Sequence, residues 1–287
     1  MKNILVPTDF SSCATKAVDF AVQIAQVAPV EITLFHVIEY MGSVYGDYTG
    51  INVDLFQTLV DESTKNLEQS KKDIAEQHGI VVTTITSKSP VAEGILGAVK
   101  DNKIDLIVIG TFGASGLQGK LWGSIAAEVL GKSPVPVIVI PHEFNWQKPQ
   151  KILFTTNHFE EDQGLLQPLF DFAALFSAEV HVIVFTNEVA YDTPTIMERA
   201  RKIFPYEKAL KEKFNSPLLT VSQLFGDKFE DRLGEYMDEK DFDMLVMVKY
   251  KRTFLQNILH KSMTKKMSYH TSVPLMVIPE IISSSKP

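Results

Sequence analysis

The sequence predicts an α/β fold in two tandem copies, and three observations carry that prediction. Short aliphatic runs of strand length alternate with stretches of helical periodicity. The chain has 287 residues, a length better divided into two domains of about 140 than built on one core. The opening pattern also returns. Asn3-Ile4-Leu5-Val6-Pro7-Thr8-Asp9 is matched by Lys151-Ile152-Leu153-Phe154-Thr155-Thr156-Asn157 at an offset of 148. That offset aligns Glu31 with Glu179 and Val37 with Phe185. Later it becomes 138, so the second copy is ten residues shorter in its middle (148 − 138 = 10). There Asp105 meets Asp243, Ser124 meets Ser262, and Pro136 and Pro141 meet Pro274 and Pro279, the signature of duplication. Lys148-Pro149-Gln150 reads as the linker, with domains expected at 1–147 and 148–287.

Taken in order, Ile4-Leu5-Val6 is a buried strand ended by Pro7. Thr8-Asp9-Phe10-Ser11-Ser12 turns into a helix capped by Ser11 or Ser12, whose apolar face includes Ala14, Ala17, Val18 and Ala21. Residues 31–38 form the second strand, and the Gly- and Tyr-containing stretch 42–52 is expected to be a loop over a ligand mouth. Leu55, Leu59, Leu67, Ile74 and Ala75 mark a long helix. A third strand covers 81–86, and Pro90 opens a helix at a position where its missing N–H costs nothing. Leu106-Ile107-Val108-Ile109 has the unbroken aliphatic character of a strand covered on both faces. Residues 135–141 form a fifth strand, placed at a sheet edge because Pro136 cannot donate to a ladder. A bare apolar edge invites pairing, and the second copy is the expected cover. Residues 192–214 read as a charged amphipathic helix, and Met263, Met267 and Met276 as core filling.

Composition narrows the function. Hydrophobic content of 45% and charge of 22% are ordinary for a globular protein. A net charge of −7 argues against nucleic acid as a general partner. No apolar run reaches the ~18 residues of a membrane span, and no signal pattern opens the chain. The single Cys13 excludes an internal disulfide and suits a reducing compartment, so a cytoplasmic location is expected.

The densest chemical signal lies in residues 105–124. The strand empties through glycines at 110, 113, 116, 119 and 123 onto a helix beginning at Ser124. Such a turn is compatible with a flexible surface loop, or with a phosphate cradle in which bare backbone N–H groups approach oxygens that a Cβ would keep away. A Walker loop is excluded because Ala126 stands where its first glycine belongs relative to Gly131-Lys132-Ser133. A dinucleotide fingerprint is excluded because it follows the first strand of its domain. Asp9, just beyond a strand end, reads either as a turn aspartate or as a ligand-facing acceptor. His36, inside a strand without a visible metal partner, reads as a hydrogen-bonded core or pocket-edge residue.

The spacing Gly110-x2-Gly113-x9-Gly123-Ser124 resembles that of the nucleotide-binding universal stress proteins (UspA-like), and the resemblance extends weakened to Pro279. It implies two Rossmann-like, adenine nucleotide alpha hydrolase-like domains, each a five-stranded parallel sheet in the order 3-2-1-4-5. The domains would face each other through their last strands as a pseudo-dimer, an arrangement compatible with a further homodimer. The resemblance also implies an ATP site, with Mg²⁺ on its phosphates, made of Pro7, Thr8, Asp9, Val37, Ile109, Gly110, Gly113, Gly123, Ser124, Ile125 and Ala126. In it Asp9 and the backbone of Val37 lie against adenine or ribose.

In the second copy the five glycines become Val248, Lys251, Phe254, Asn257 and Lys261, and Asp9 becomes Asn157. Nucleotide is therefore expected in the first domain alone. Lys249, Lys251, Arg252, Lys261, Lys265 and Lys266 make the second loop basic, which fits a solvated helix end or a site for an anionic partner. Three functions remain open. One is an ATP-dependent stress sensor acting on an unidentified protein partner. Another is a slow ATPase or phosphotransferase, for which Lys120 could supply charge and Glu128 or Asp9 a base, though no spacing selects a catalytic residue. The third is a scaffold that binds no nucleotide.

Overall fold

Strands rich in Val, Ile and Leu must be covered on both faces, and the chain supplies helices of matching apolar stripe between them. The computed structural model describes residues 1–38, 51–111, 123–250 and 273–280. The first copy runs β1 (Asn3–Pro7), α1 (Ser12–Val27), β2 (Glu31–Val37), α2 (Ile51–His78), β3 (Val82–Ser87), α3 (Val91–Asp101), β4 (Leu106–Gly110), α4 (Ser124–Lys132) and β5 (Val137–Ile140). The second runs β6 (Lys151–Thr156), α5 (Gln163–Phe176), β7 (Glu179–Asn187), α6 (Thr193–Phe214), β8 (Thr220–Gly226), α7 (Phe229–Lys240), β9 (Met244–Lys249) and β10 (Leu275–Pro279).

All ten strands join one sheet in the order β3-β2-β1-β4-β5-β10-β9-β6-β7-β8. Counted within each copy, both halves have the order 3-2-1-4-5 and are parallel. The halves meet antiparallel where β5 pairs β10, with Ile138 opposite Met276. The edge left by the first five strands is thus closed by the second copy. Pro136 sits just before β5, and its carbonyl accepts the Ile107 N–H at 3.0 Å.

The duplication is visible in the register. Asn3 opposite Glu31 recurs as Lys151 opposite Glu179. Ile4 opposite Leu106 recurs as Ile152 opposite Met244. Asp105 accepts the N–H groups of Lys2 and Asn3 at 2.6 and 3.0 Å, and Asp243 those of Gln150 and Lys151 at 2.8 Å each. One carboxylate thus ties the start of β1, or of β6, to the strand beside it.

Helices cover both faces. One apolar cluster gathers residues of α1, α2, α5 and α6, the other those of α3, α4 and α7, and each runs through both copies. Ala14, Ala17 and Ala21 are buried and let α1 lie close to the sheet. Across the junction Phe20 stacks on Phe172, with centroids 6.3 Å apart, and Trp146 meets Phe20 edge-on at 5.2 Å. Small differences from expectation are confined to boundaries: Ile51 and Asn52, expected in the loop, open α2, and the rest of that loop lies outside the described residues.

On the second copy, half-buried His181 is held by three hydroxyls. Thr220 Oγ1 lies 2.6 Å from Nδ1, while Ser222 Oγ and Tyr236 OH lie 2.8 and 2.6 Å from Nε2. Burial, aided by Lys240 and opposed by Glu207, holds the imidazole below its ordinary value of 6.5. The unfolded chain therefore binds more protons in that window, so stability is full above pH 6.5 and falls as the pH drops toward the depressed value. Thermal midpoints should decline on acidification below 6.5, and His181→Asn should flatten that decline.

Candidate functional site

In an open sheet of order 3-2-1-4-5 the strand order reverses between β1 and β4, and the crevice beyond their carboxyl ends is where such folds take ligands. Here Ile4 pairs Leu106 and Leu5 pairs Ile107, so the ends of β1 and β4 lie side by side. Pro7, Thr8 and Asp9 leave β1 on one flank, and Ile109 and Gly110 end β4 on the other. Val37 ends β2, the next strand out.

The turn after β1 is held tightly. Thr8 N–H donates to the Phe35 carbonyl at 2.8 Å, and Thr8 Oγ1 accepts from the Phe10 N–H at 3.0 Å. His36 Nδ1 lies 2.8 Å from the Thr8 carbonyl and must be the protonated nitrogen, since a carbonyl only accepts. Phe10 adopts a left-handed φ of 62°, strained for an aromatic residue, and leans on the His36 ring at 4.7 Å. Asp9 is exposed at the apex, with one carboxylate oxygen accepting the Ser11 N–H at 3.1 Å. Ser11 caps α1 by accepting from Ala14 N–H at 3.2 Å. His36 is thus a hydrogen-bonded residue bracing this turn.

On the opposite flank the ends of the glycine loop are pinned. Thr111 N–H reaches the Ile140 carbonyl at 3.0 Å, and Gly123 N–H the Thr111 carbonyl at 2.6 Å. Gly113 lies outside the described residues. Neither described glycine of the motif has a positive φ, and Gly123 is extended at φ −62° and ψ 151°. The requirement at Gly110 is space. A Cβ there would fall 2.8 Å from Cys13 Sγ and 2.9 Å from the Cys13 carbonyl oxygen, so glycine lets the first turn of α1 close onto β4. Among the described residues no side chain caps α4, whose first turn carries exposed Ser124, half-buried Ile125 and buried Ala126. An uncapped helix start with its positive dipole end is a donor set suited to an anion. Among the described residues no group of three His, Cys, Asp or Glu is placed to hold a metal ion.

In the second copy a side chain bridges the matching strand ends. Val248 occupies the Gly110 position, and α5 starts three residues later than α1, at the equivalent of 15 (163 − 148) rather than 12. Arg199 of α6, unforeseen in the sequence, reaches across the ends of β6 and β7. Its Nη2 donates to the carbonyls of Asn157 and Phe185 at 2.9 and 3.2 Å, and its Nε to Thr186 Oγ1 at 3.2 Å. The guanidinium also faces the rings of Phe159 and Tyr191, at 5.2 and 5.3 Å. Asn157 and Phe185 are the counterparts of Asp9 and Val37. Tyr206 OH donates to the Glu160 carbonyl at 2.7 Å and Tyr250 OH to Glu160 Oε2 at 2.9 Å, and burial raises both phenol pKa values well above the ordinary range. Of the basic loop that follows, Lys249 is described, while residues 251–272 are not.

Comparison with known proteins agrees with the repeat. The model of the universal stress protein family matches residues 1–141 and again 148–279. Universal stress protein MJ0531 of Methanocaldococcus jannaschii is 31% identical over 150 residues, 52% of this chain and 84% of that protein. Universal stress protein Slr1230 of Synechocystis sp. is 25% identical over 299 residues, 96% of this chain and 99% of that protein. A crystal structure of a universal stress protein from Archaeoglobus fulgidus aligns with a TM-score of 0.68 at 18% identity, covering 97% of this chain and 96% of that one, a likeness of fold. No helix among the described residues is long and apolar enough to cross a membrane. With the family matched twice in succession along a doubled sheet, the chain belongs to the universal stress protein family as a tandem two-domain member.

Proposed function

We propose that the chain is a cytoplasmic, ATP-binding stress regulator in which one nucleotide binds the first domain, residues 1–147, and none binds the second, residues 148–287. The observation that carries this reading is the intact Gly110-x2-Gly113-x9-Gly123-Ser124 spacing at the switch between β1 and β4, set against a second copy that has lost these glycines and whose strand ends Arg199 bridges. Asp9 would accept from the exocyclic amine or a ribose hydroxyl, and the backbone of Val37 would border the base. The loop between residues 110 and 123, with Ser124 and the start of α4, would take the phosphates. Mg²⁺ fits as a companion of the phosphates, held mainly by their oxygens and water; when bound it neutralises their charge. Occupancy would then alter binding to a protein partner.

No spacing in the sequence selects a base toward a γ-phosphate, so we read the chain as a sensor, at most a slow ATPase. Purified chain, denatured and examined by mass spectrometry, should release carried-over ATP. Calorimetry of nucleotide-stripped chain should give one ATP per chain, lost in Gly113→Val with the fold retained. Phosphate release should stay far below about one per second, the lower range for enzymes. Two ATP per chain, or none, would overturn the assignment.

A further inference from the structure

Lys249 does something across the junction that its counterpart in the first copy cannot. It lies at the end of β9, where the offset of 138 places Thr111 in the first copy (249 − 138 = 111). Thr111 is buried and serves its own domain, its carbonyl holding Gly123 and its hydroxyl lying 3.5 Å from Cys13 Sγ. The longer lysine leaves its domain altogether. Its Nζ is 3.0 Å from the carbonyl of Gly131, 3.2 Å from that of Leu130 and 3.4 Å from that of Ser133. These are two carbonyls of the last turn of α4 and that of its C-cap, groups left without intrahelical donors. An ammonium has three N–H donors, and three carbonyls receive them. A cation at a helix C-terminus also lies at the favourable end of the dipole. The described bracing runs from the second copy into the first.

The braced helix is the one whose uncapped start borders the glycine loop. A helix of nine residues is about 13 Å long at 1.5 Å per residue, and rigid over that length. We propose that Lys249 is a positioning residue for the nucleotide site: it locks α4 from its far end, couples the second domain to phosphate binding in the first, and gives the second domain a role that needs no ligand of its own. This rests on the phosphates lying at the start of α4. Because coupling is reciprocal, nucleotide in the first domain must in turn stabilise the end of β9.

The test uses the full-length chain, Mg·ATP, calorimetry and hydrogen exchange. Lys249→Met should raise the Kd for ATP about three- to tenfold, while Lys249→Arg, which still presents several N–H donors, should stay closer to wild type. In the wild type ATP should slow exchange in the peptide spanning β9, and in Lys249→Met that slowing should disappear. The wild-type exchange measurement stands even if the Met variant folds poorly. Wild-type chain that binds ATP without slowing exchange in β9 overturns the coupling and leaves the nucleotide site standing, as does a folded Lys249→Met chain with unchanged affinity. Wild-type chain that binds no ATP overturns both.

Discussion

Gly110→Val should lose ATP binding and about 3 kcal/mol of stability, the upper end of what overpacking costs. The first added carbon already meets Cys13 Sγ at 2.8 Å, the Cys13 carbonyl oxygen at 2.9 Å and its carbon at 3.0 Å. Two of these three atoms are backbone, so no rotamer change relieves the clash and the first turn of α1 must move as a unit. That turn carries the Ser11 cap and, just before it, Asp9 and the strained Phe10, so the nucleotide flank is displaced with it. Urea unfolding and calorimetry measure the two effects separately. Gly110→Ala should show the same pattern at smaller size, and a Cys13→Ala background should rescue little, because the carbonyl remains. Full stability together with full ATP affinity in Gly110→Val would falsify both the packing account and the placement of the site. The second copy carries this residue as Val248, beside a helix α5 that starts three residues later than α1.

That contrast marks where the sequence could be read and where it could not. Strand and helix identity was legible because uninterrupted runs such as Leu106-Ile107-Val108-Ile109 have few alternatives to a covered strand. The duplication was legible because backbone-determined residues, such as the prolines flanking β5 and the aspartates tying β1 and β6, keep their spacing. That the second copy covers β5 followed from one physical argument, that an apolar strand at a sheet edge needs a cover; the meeting of the last strands came from the resemblance, and their antiparallel sense is seen only in the structure. The sequence reading of Gly110 left out its contact with α1. A glycine in a loop motif suggested positive φ, which Gly110 does not adopt, or approach to phosphate; the described constraint is contact with α1, which depends on a residue nearly one hundred positions earlier (110 − 13 = 97). Arg199 and Lys249 were opaque for a related reason. Each sits among other basic residues, in helix α6 and ahead of the basic loop, and composition cannot tell a solvated cation from one whose donors end on distant carbonyls.

Arg199→Ala should cost the chain about 2–3 kcal/mol while leaving the affinity for ATP within about twofold of wild type. The side chain makes three charge-assisted hydrogen bonds, to Asn157, Phe185 and Thr186, and such bonds contribute more than neutral ones. Truncation also removes the cation from beside Phe159 and Tyr191, leaving a cavity that water must fill. Arg199→Lys should recover little, because a single ammonium cannot span three acceptors that a planar fork reaches together. Urea midpoints at constant pH measure the loss, and a change under about 0.5 kcal/mol, the size of an ordinary surface substitution, would remove Arg199 from the account of the second cleft. The nucleotide arm then decides what the guanidinium is doing there. ATP that binds only the first domain raises the unfolding midpoint by the same free energy in both chains, since the ligand term depends on its own site alone. A larger increment in Arg199→Ala would mean that the side chain had been holding a second nucleotide site shut, and that Val248 is less of a barrier to phosphate than its two methyl groups suggest.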